Sequence, residues 1–140
     1  VEDNRHHKVT KALEDVTFIN IAVTGVIANI TKSFSQSALG HMMYDGVRTF
    51  FTQEAKDALH GEIVAVALFT QLYYNKLSEQ KEQLKEFMRG MDMPLTLEEL
   101  GVPCTEKNLK TLEDYLIDSP YVDPSPESLA LLHEAMKQMQ

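Results

Sequence analysis

Two histidines, His41 and His60, are the first candidates for chemistry. Each sits in, or at the end of, an apolar helical stretch and next to a glycine, where an imidazole could point into a cleft. Neutral imidazole suits Zn²⁺ or Fe²⁺, but a catalytic zinc takes three protein ligands and keeps one open position, so two histidines make an incomplete set. From spacing alone, a satisfied core or surface histidine is the better reading of each, because histidine is intermediate in burial. Asp45 follows His41 by four residues and so shares its helical face. It could complete a histidine–carboxylate pair, although beside Gly46 it reads first as a polar residue at a helix end. Glu62 is explained by the positive end of a helix dipole. His6 and His7 lie in a polar run and read as solvated, and His133, beside Leu132 and Glu134, reads as having no role. Cys104, between Pro103 and Thr105, has no nearby histidine in sequence and is weakly placed as a nucleophile. The six glycines, at 25, 40, 46, 61, 90 and 101, form no phosphate-cradling loop between a strand and a helix, so no dinucleotide site of the Rossmann kind lies in this chain.

The elements that must position these groups are helical. From Thr10 to Thr31 the residues Leu13, Val16, Ile19, Val23, Val26 and Ile27 recur at threes and fours. With Phe18, Ile21 and Ala22 added, the pattern predicts a long core helix packed on more than one side. Lys32 to Gln36 is a polar break, and Ser37 to Val47 reads as a short helix closed near Gly46. Gln53 to Leu59 reads as a turn or short helix. Glu62 to Leu77 is apolar nearly all round and predicts a central buried helix with His60 at its N-terminal mouth. Val64, Leu68 and Leu72 are expected in one core with Leu129, Leu132 and Met136. Ser78 is a candidate cap for a helix facing inward through Leu84, Phe87, Met88 and Met91. Thr96-Leu97-Glu98-Glu99 has capping-box spacing. Thr105 opens a helix with Leu109, Leu112 and Leu116 on one side, ended by Ser119-Pro120. Ser125-Pro126-Glu127 opens the last one, with proline at the first helical position. No alternating strand, repeat or linker is evident, so the fold class is all-α, in one domain spanning residues 1–140.

A length of 140 residues and a hydrophobic share of 44% fit one ordinary globular core. The formal charge of -8 repels a phosphate backbone, which argues against nucleic acid as a partner. The longest apolar-rich stretch, Phe18 to Ile30, contains two Asn and a Gly and is too short to span a bilayer, so no membrane association is expected. One cysteine cannot form an internal disulfide, and a reducing cytoplasm fits best. The N-terminus has no signal-peptide architecture and does not begin with Met, which suggests a start in mid-protein.

Two blocks carry a resemblance. Ala38-Leu39-Gly40-His41-Met42-Met43-Tyr44-Asp45-Gly46 and Ala58-Leu59-His60-Gly61-Glu62-Ile63-Val64-Ala65 resemble segments of the glycerol dehydrogenase branch of the iron-containing alcohol dehydrogenase family. Met93 to Gly101 and Asp123 to Glu127 are similar to its late domain, so the likeness covers nearly the whole chain. The resemblance implies the all-helical C-terminal domain of the dehydroquinate synthase-like fold, without the nucleotide-binding half. It also implies that His41 and His60 bind a divalent metal, zinc before iron. The family's third ligand is an Asp on an earlier helix, and neither Asp3 nor Asp15 matches its context. In such enzymes the metal holds the substrate hydroxyl and lowers its pKa as hydride leaves carbon for NAD, which the absent half would bind. The intact protein would then oxidise a small polyol such as glycerol, as a homo-oligomer, and this chain alone would be inactive. Tyr44 stands where the family often has a second His, and Asp45 where it has Asn. Those departures leave open a hydroxycarboxylate or other alcohol as substrate. A helical interaction module that has lost its chemistry is the alternative from another class.

Overall fold

A computed structural model describes residues 2–30 and 39–140. Every regular element among them is helical, so the all-α class stands. The chain forms two compact units, Val1–Ser37 and Ala38–Gln140. The polar break expected over Lys32 to Gln36 lies outside the described residues.

In the first unit α1 (Glu2–Arg5) precedes α2 (Lys11–Phe18), a π-helical turn (Ile19–Val23) and α3 (Thr24–Ile30). Thr10 caps α2 by accepting the Leu13 N–H through its hydroxyl. The segment is helical as expected, and this unit by itself leaves Val16, Phe18, Ile21, Val26 and Ile30 more than half exposed. A helix apolar on several sides needs neighbours on several sides, and the four-residue α1 cannot supply them.

The second unit carries the core. It comprises α4 (Leu39–Phe50), α5 (His60–Tyr74), α6 (Lys81–Arg89), α7 (Glu106–Ile117) and α8 (Pro126–Met136), with 3₁₀ turns at Ser78–Gln80 and Lys137–Met139. Helix α5 is central and packs on α4 and α8, while α4 also packs on α7. Met43, Val47, Ile63, Val66, Phe69, Leu112, Leu116, Leu132, Met136 and Met139 are almost wholly removed from solvent. Thr105 and Ser125 cap α7 and α8 as expected, accepting the N–H groups of Asn108 and Ser128.

Four expectations need correction. Gly46 does not close α4, which runs on to Phe50. A Cβ there would stand 3.0 Å from Tyr115 Cδ1 and 3.2 Å from Leu112 Cδ2, so the missing side chain lets α4 approach α7. On α5 the buried line is Ile63, Val66, Ala67, Phe69 and Thr70, whereas Val64, Leu68 and Leu72 are only half-buried. A helix apolar nearly all round has no periodicity to select its inner face. Ser78 begins a 3₁₀ turn and makes no capping bond, and in α6 only Met88 is buried while Phe87 is exposed. Thr96 and Glu99 form only half of a box: Thr96 Oγ1 accepts the Glu99 N–H, but Glu99 accepts the N–H of Leu95 rather than that of Thr96, and the pair closes a turn rather than opening a helix.

That turn ends at Gly101, where φ is +91°. A Cβ at this position would fall 2.3 Å from the Glu54 carbonyl oxygen, so both the left-handed conformation and the close approach exclude larger residues.

Candidate functional site

The 51–59 connection between α4 and α5 runs back along α4, to which Arg48 ties it through the Ala55 and Ala58 carbonyls, before α5 begins. The consequence is that His41, near the start of α4, meets His60, the first residue of α5. Their ring centroids are 5.6 Å apart with the planes tilted by 54°. Two imidazoles sharing one tetrahedral zinc through bonds of about 2.0–2.1 Å place their nitrogens roughly 3.3 Å apart and their centroids about 5 Å apart. The donor chemistry and the spacing therefore fit two of the ligands of such an ion. Both residues are exposed, so solvent can reach them. Among the described residues no third His, Cys, Asp or Glu gathers with them.

Three devices hold this end of α5. Glu62 accepts the Leu59 N–H at 2.7 Å, which fixes the entry to His60. Tyr44, one turn beyond His41, stands 4.1 Å from His60 between centroids, with the rings inclined at 55°. Arg48, one further turn along the same face, lies 5.5 Å over the Tyr44 ring. It donates from Nη1 to the Ala55 carbonyl at 2.9 Å and from Nη2 to the Ala58 carbonyl at 2.6 Å. Sequence reasoning named Tyr44 only as a departure from the resembled family and did not distinguish Arg48, although their three- and seven-residue spacing from His41 puts both on its helical face. Gln71, further along α5, ties down the start of α4 beside His41 by accepting the Gly40 N–H at 3.0 Å.

Asp45 is exposed, and the bond the structure shows at this residue is from the Thr49 hydroxyl to its backbone carbonyl. His133 is engaged rather than idle: its Nδ1 lies 3.0 Å from Oε2 of the buried Glu113. That pair borders a cleft of about 750 Å³ between α7 and α8, on a floor of Leu109 and Met136. A buried carboxylate in the Leu109/Leu112/Leu116 stripe needs such a partner. Cys104 is half-buried, and burial, helped by the nearby Glu98 charge, pushes its thiol pKa up. The thiolate is thus disfavoured, which agrees with its weak placement for nucleophilic work. No helix among the described residues is long and apolar enough to cross a membrane. No known protein family, curated protein or solved structure matches the chain.

Proposed function

We propose that this chain carries the metal side of an NAD-dependent dehydrogenase that oxidises a small polyol such as glycerol. The single observation that supports the reading most is the 5.6 Å approach of the His41 and His60 rings, drawn from separate helices. In this proposal the two imidazoles supply two ligands of a divalent ion, zinc before iron, and residues outside this chain supply the third ligand and the NAD site. The bound ion would acidify the substrate hydroxyl. The chain's own residues hold the two imidazoles, leave one side open to substrate, and provide no phosphate cradle. Arg48 favours a polyol over a hydroxycarboxylate, because its guanidinium is committed to two backbone carbonyls rather than free to clamp a carboxylate. A reducing compartment such as the cytoplasm and a homo-oligomeric whole belong to the same proposal.

Cobalt(II), a spectroscopic substitute for zinc, tests it. Titration into the chain is expected to give visible absorption of tetrahedral type, lost in His41→Ala and in His60→Ala and kept in His133→Ala. Identical spectra for the chain and both of the first two variants would remove the assignment. With Zn²⁺, NAD and glycerol this chain alone should give no turnover, since hydride transfer needs the nicotinamide fixed against the substrate carbon. In the intact enzyme His60→Ala should collapse kcat rather than merely raise KM.

A further inference from the structure

We infer that Tyr44 and Arg48 are positioning residues for His60, acting as one support that holds its imidazole toward His41. The inference deepens the proposed metal site but rests on geometry that exists without metal.

His60 has little of its own to hold it. It is exposed, it is the first residue of its helix, and Leu59 before it is exposed as well. A side chain in that setting samples several rotamers, and fixing one of them opposes ligand binding by the entropy lost. The Tyr44 ring, at 4.1 Å between centroids, is close enough to limit that sampling. Tyr44 is itself half-buried and sits on α4 one turn from His41. The histidine it touches and the histidine it accompanies are therefore referenced to one rigid helix.

Arg48 completes the support in two ways. Its guanidinium lies over the Tyr44 ring at a distance suited to cation–π attraction. Its two donors, on the Ala55 and Ala58 carbonyls, tie α4 to the loop that delivers His60. A planar fork reaches two carbonyls three residues apart in a way that a lysine's compact ammonium does not reproduce. One arginine thus orders the tyrosine and the backbone leading to the histidine it contacts. The tyrosine hydroxyl has no part in this account, so phenylalanine should serve in its place.

The test has two arms. In the metal-free chain, proton NMR should show the His60 ring protons shifted upfield by the Tyr44 ring current. That displacement should disappear in Tyr44→Leu, persist in Tyr44→Phe and diminish in Arg48→Met. In the second arm, Co²⁺ affinity should fall by roughly two- to ten-fold in Tyr44→Leu, the range an aromatic pair is worth, and recover in Tyr44→Phe. His60 ring protons at their random-coil position in the unsubstituted chain would overturn the inference. So would an undiminished displacement in Tyr44→Leu, with folding checked by circular dichroism in every variant. If the first arm succeeds and the chain takes up no Co²⁺, the metal reading fails and the positioning of His60 by Tyr44 and Arg48 stands.

Discussion

Gly46→Ala places two effects of comparable size in opposition, and the structure determines which prevails. In an open helix interior the change would stabilise by about 1 kcal/mol, because glycine is that much poorer than alanine as a helix former. At position 46 the new methyl would stand 3.0 Å from Tyr115 Cδ1 and 3.2 Å from Leu112 Cδ2. Carbon atoms in contact prefer about 3.5–4.0 Å, so both neighbours must move by several tenths of an ångström. Tyr115 has limited room, since its ring packs edge-on against Phe50 at 5.7 Å and 79°, and Leu112 is fully buried. Overpacking of this kind costs about 1–3 kcal/mol, which leaves a net destabilisation of about 1 kcal/mol after the helix gain. Gly61→Ala is the control: nothing lies within 4 Å of its added methyl, so it should be neutral or stabilise by up to about 1 kcal/mol. Urea unfolding followed by circular dichroism reads the difference. With a slope of about 2 kcal/mol/M, the Gly46→Ala midpoint should drop by roughly 0.5 M while that of Gly61→Ala holds or rises. A Gly46→Ala midpoint at or above that of the unsubstituted chain would show that α4 and α7 do not approach as described.

Further outcomes follow from individual contacts. Tyr74→Phe removes the hydroxyl that lies 2.5 Å from Ser128 Oγ and accepts the Asp123 N–H at 3.1 Å, and the same unfolding assay should register a loss of about 1–2 kcal/mol. Cys104, its thiol pKa raised by burial, should react with iodoacetamide at pH 8 more slowly than a free thiol, and an equal rate would contradict the half-buried placement. The Ser125 hydroxyl and then the Ser125 N–H hold the Asp123 carboxyl below its ordinary pKa. A lowered folded-state value means that the contribution is present at neutral pH and lost as pH falls through that value. The stability gap between the chain and Asp123→Ala should therefore close on acidification, and a gap that is independent of pH would argue against the bond.

Legibility differed between elements for physical reasons. Helices α7 and α8 could be read because their starts are local: a capping hydroxyl at Thr105 or Ser125 bonds an N–H three residues on, and Pro126 excludes other geometry at its position. Gly46 could not, since a glycine that ends a helix and one that admits a neighbouring helix look alike until Tyr115 and Leu112 are placed. The inner face of α5 was hidden by its evenly spread apolar residues, and the exposure of Val16, Phe18 and Ile21 by the absence of any rule for what covers an apolar helix. The adjacency of His41 and His60 came from resemblance, not from spacing, because a nineteen-residue separation says nothing until the 51–59 connection is placed back along α4. Arg48 was illegible for the same reason: its partners are carbonyl groups, which no side-chain pattern records.

The left-handed turn at Gly101 has a practical bearing on where this protein can be cut or extended. Its backbone lies so close to Glu54 that the 51–59 loop has no slack on that side, and the adjoining Leu100 and Val102 are buried in the core. A peptide tag, fluorophore graft or new terminus at 54–55 would have to dislodge those side chains, so the loop that looks most dispensable on a topology diagram is a poor splice point. The exposed segment after α5, where Lys76 already adopts a positive φ of 59° and its neighbours Asn75 and Leu77 are exposed, is the better place to open the chain.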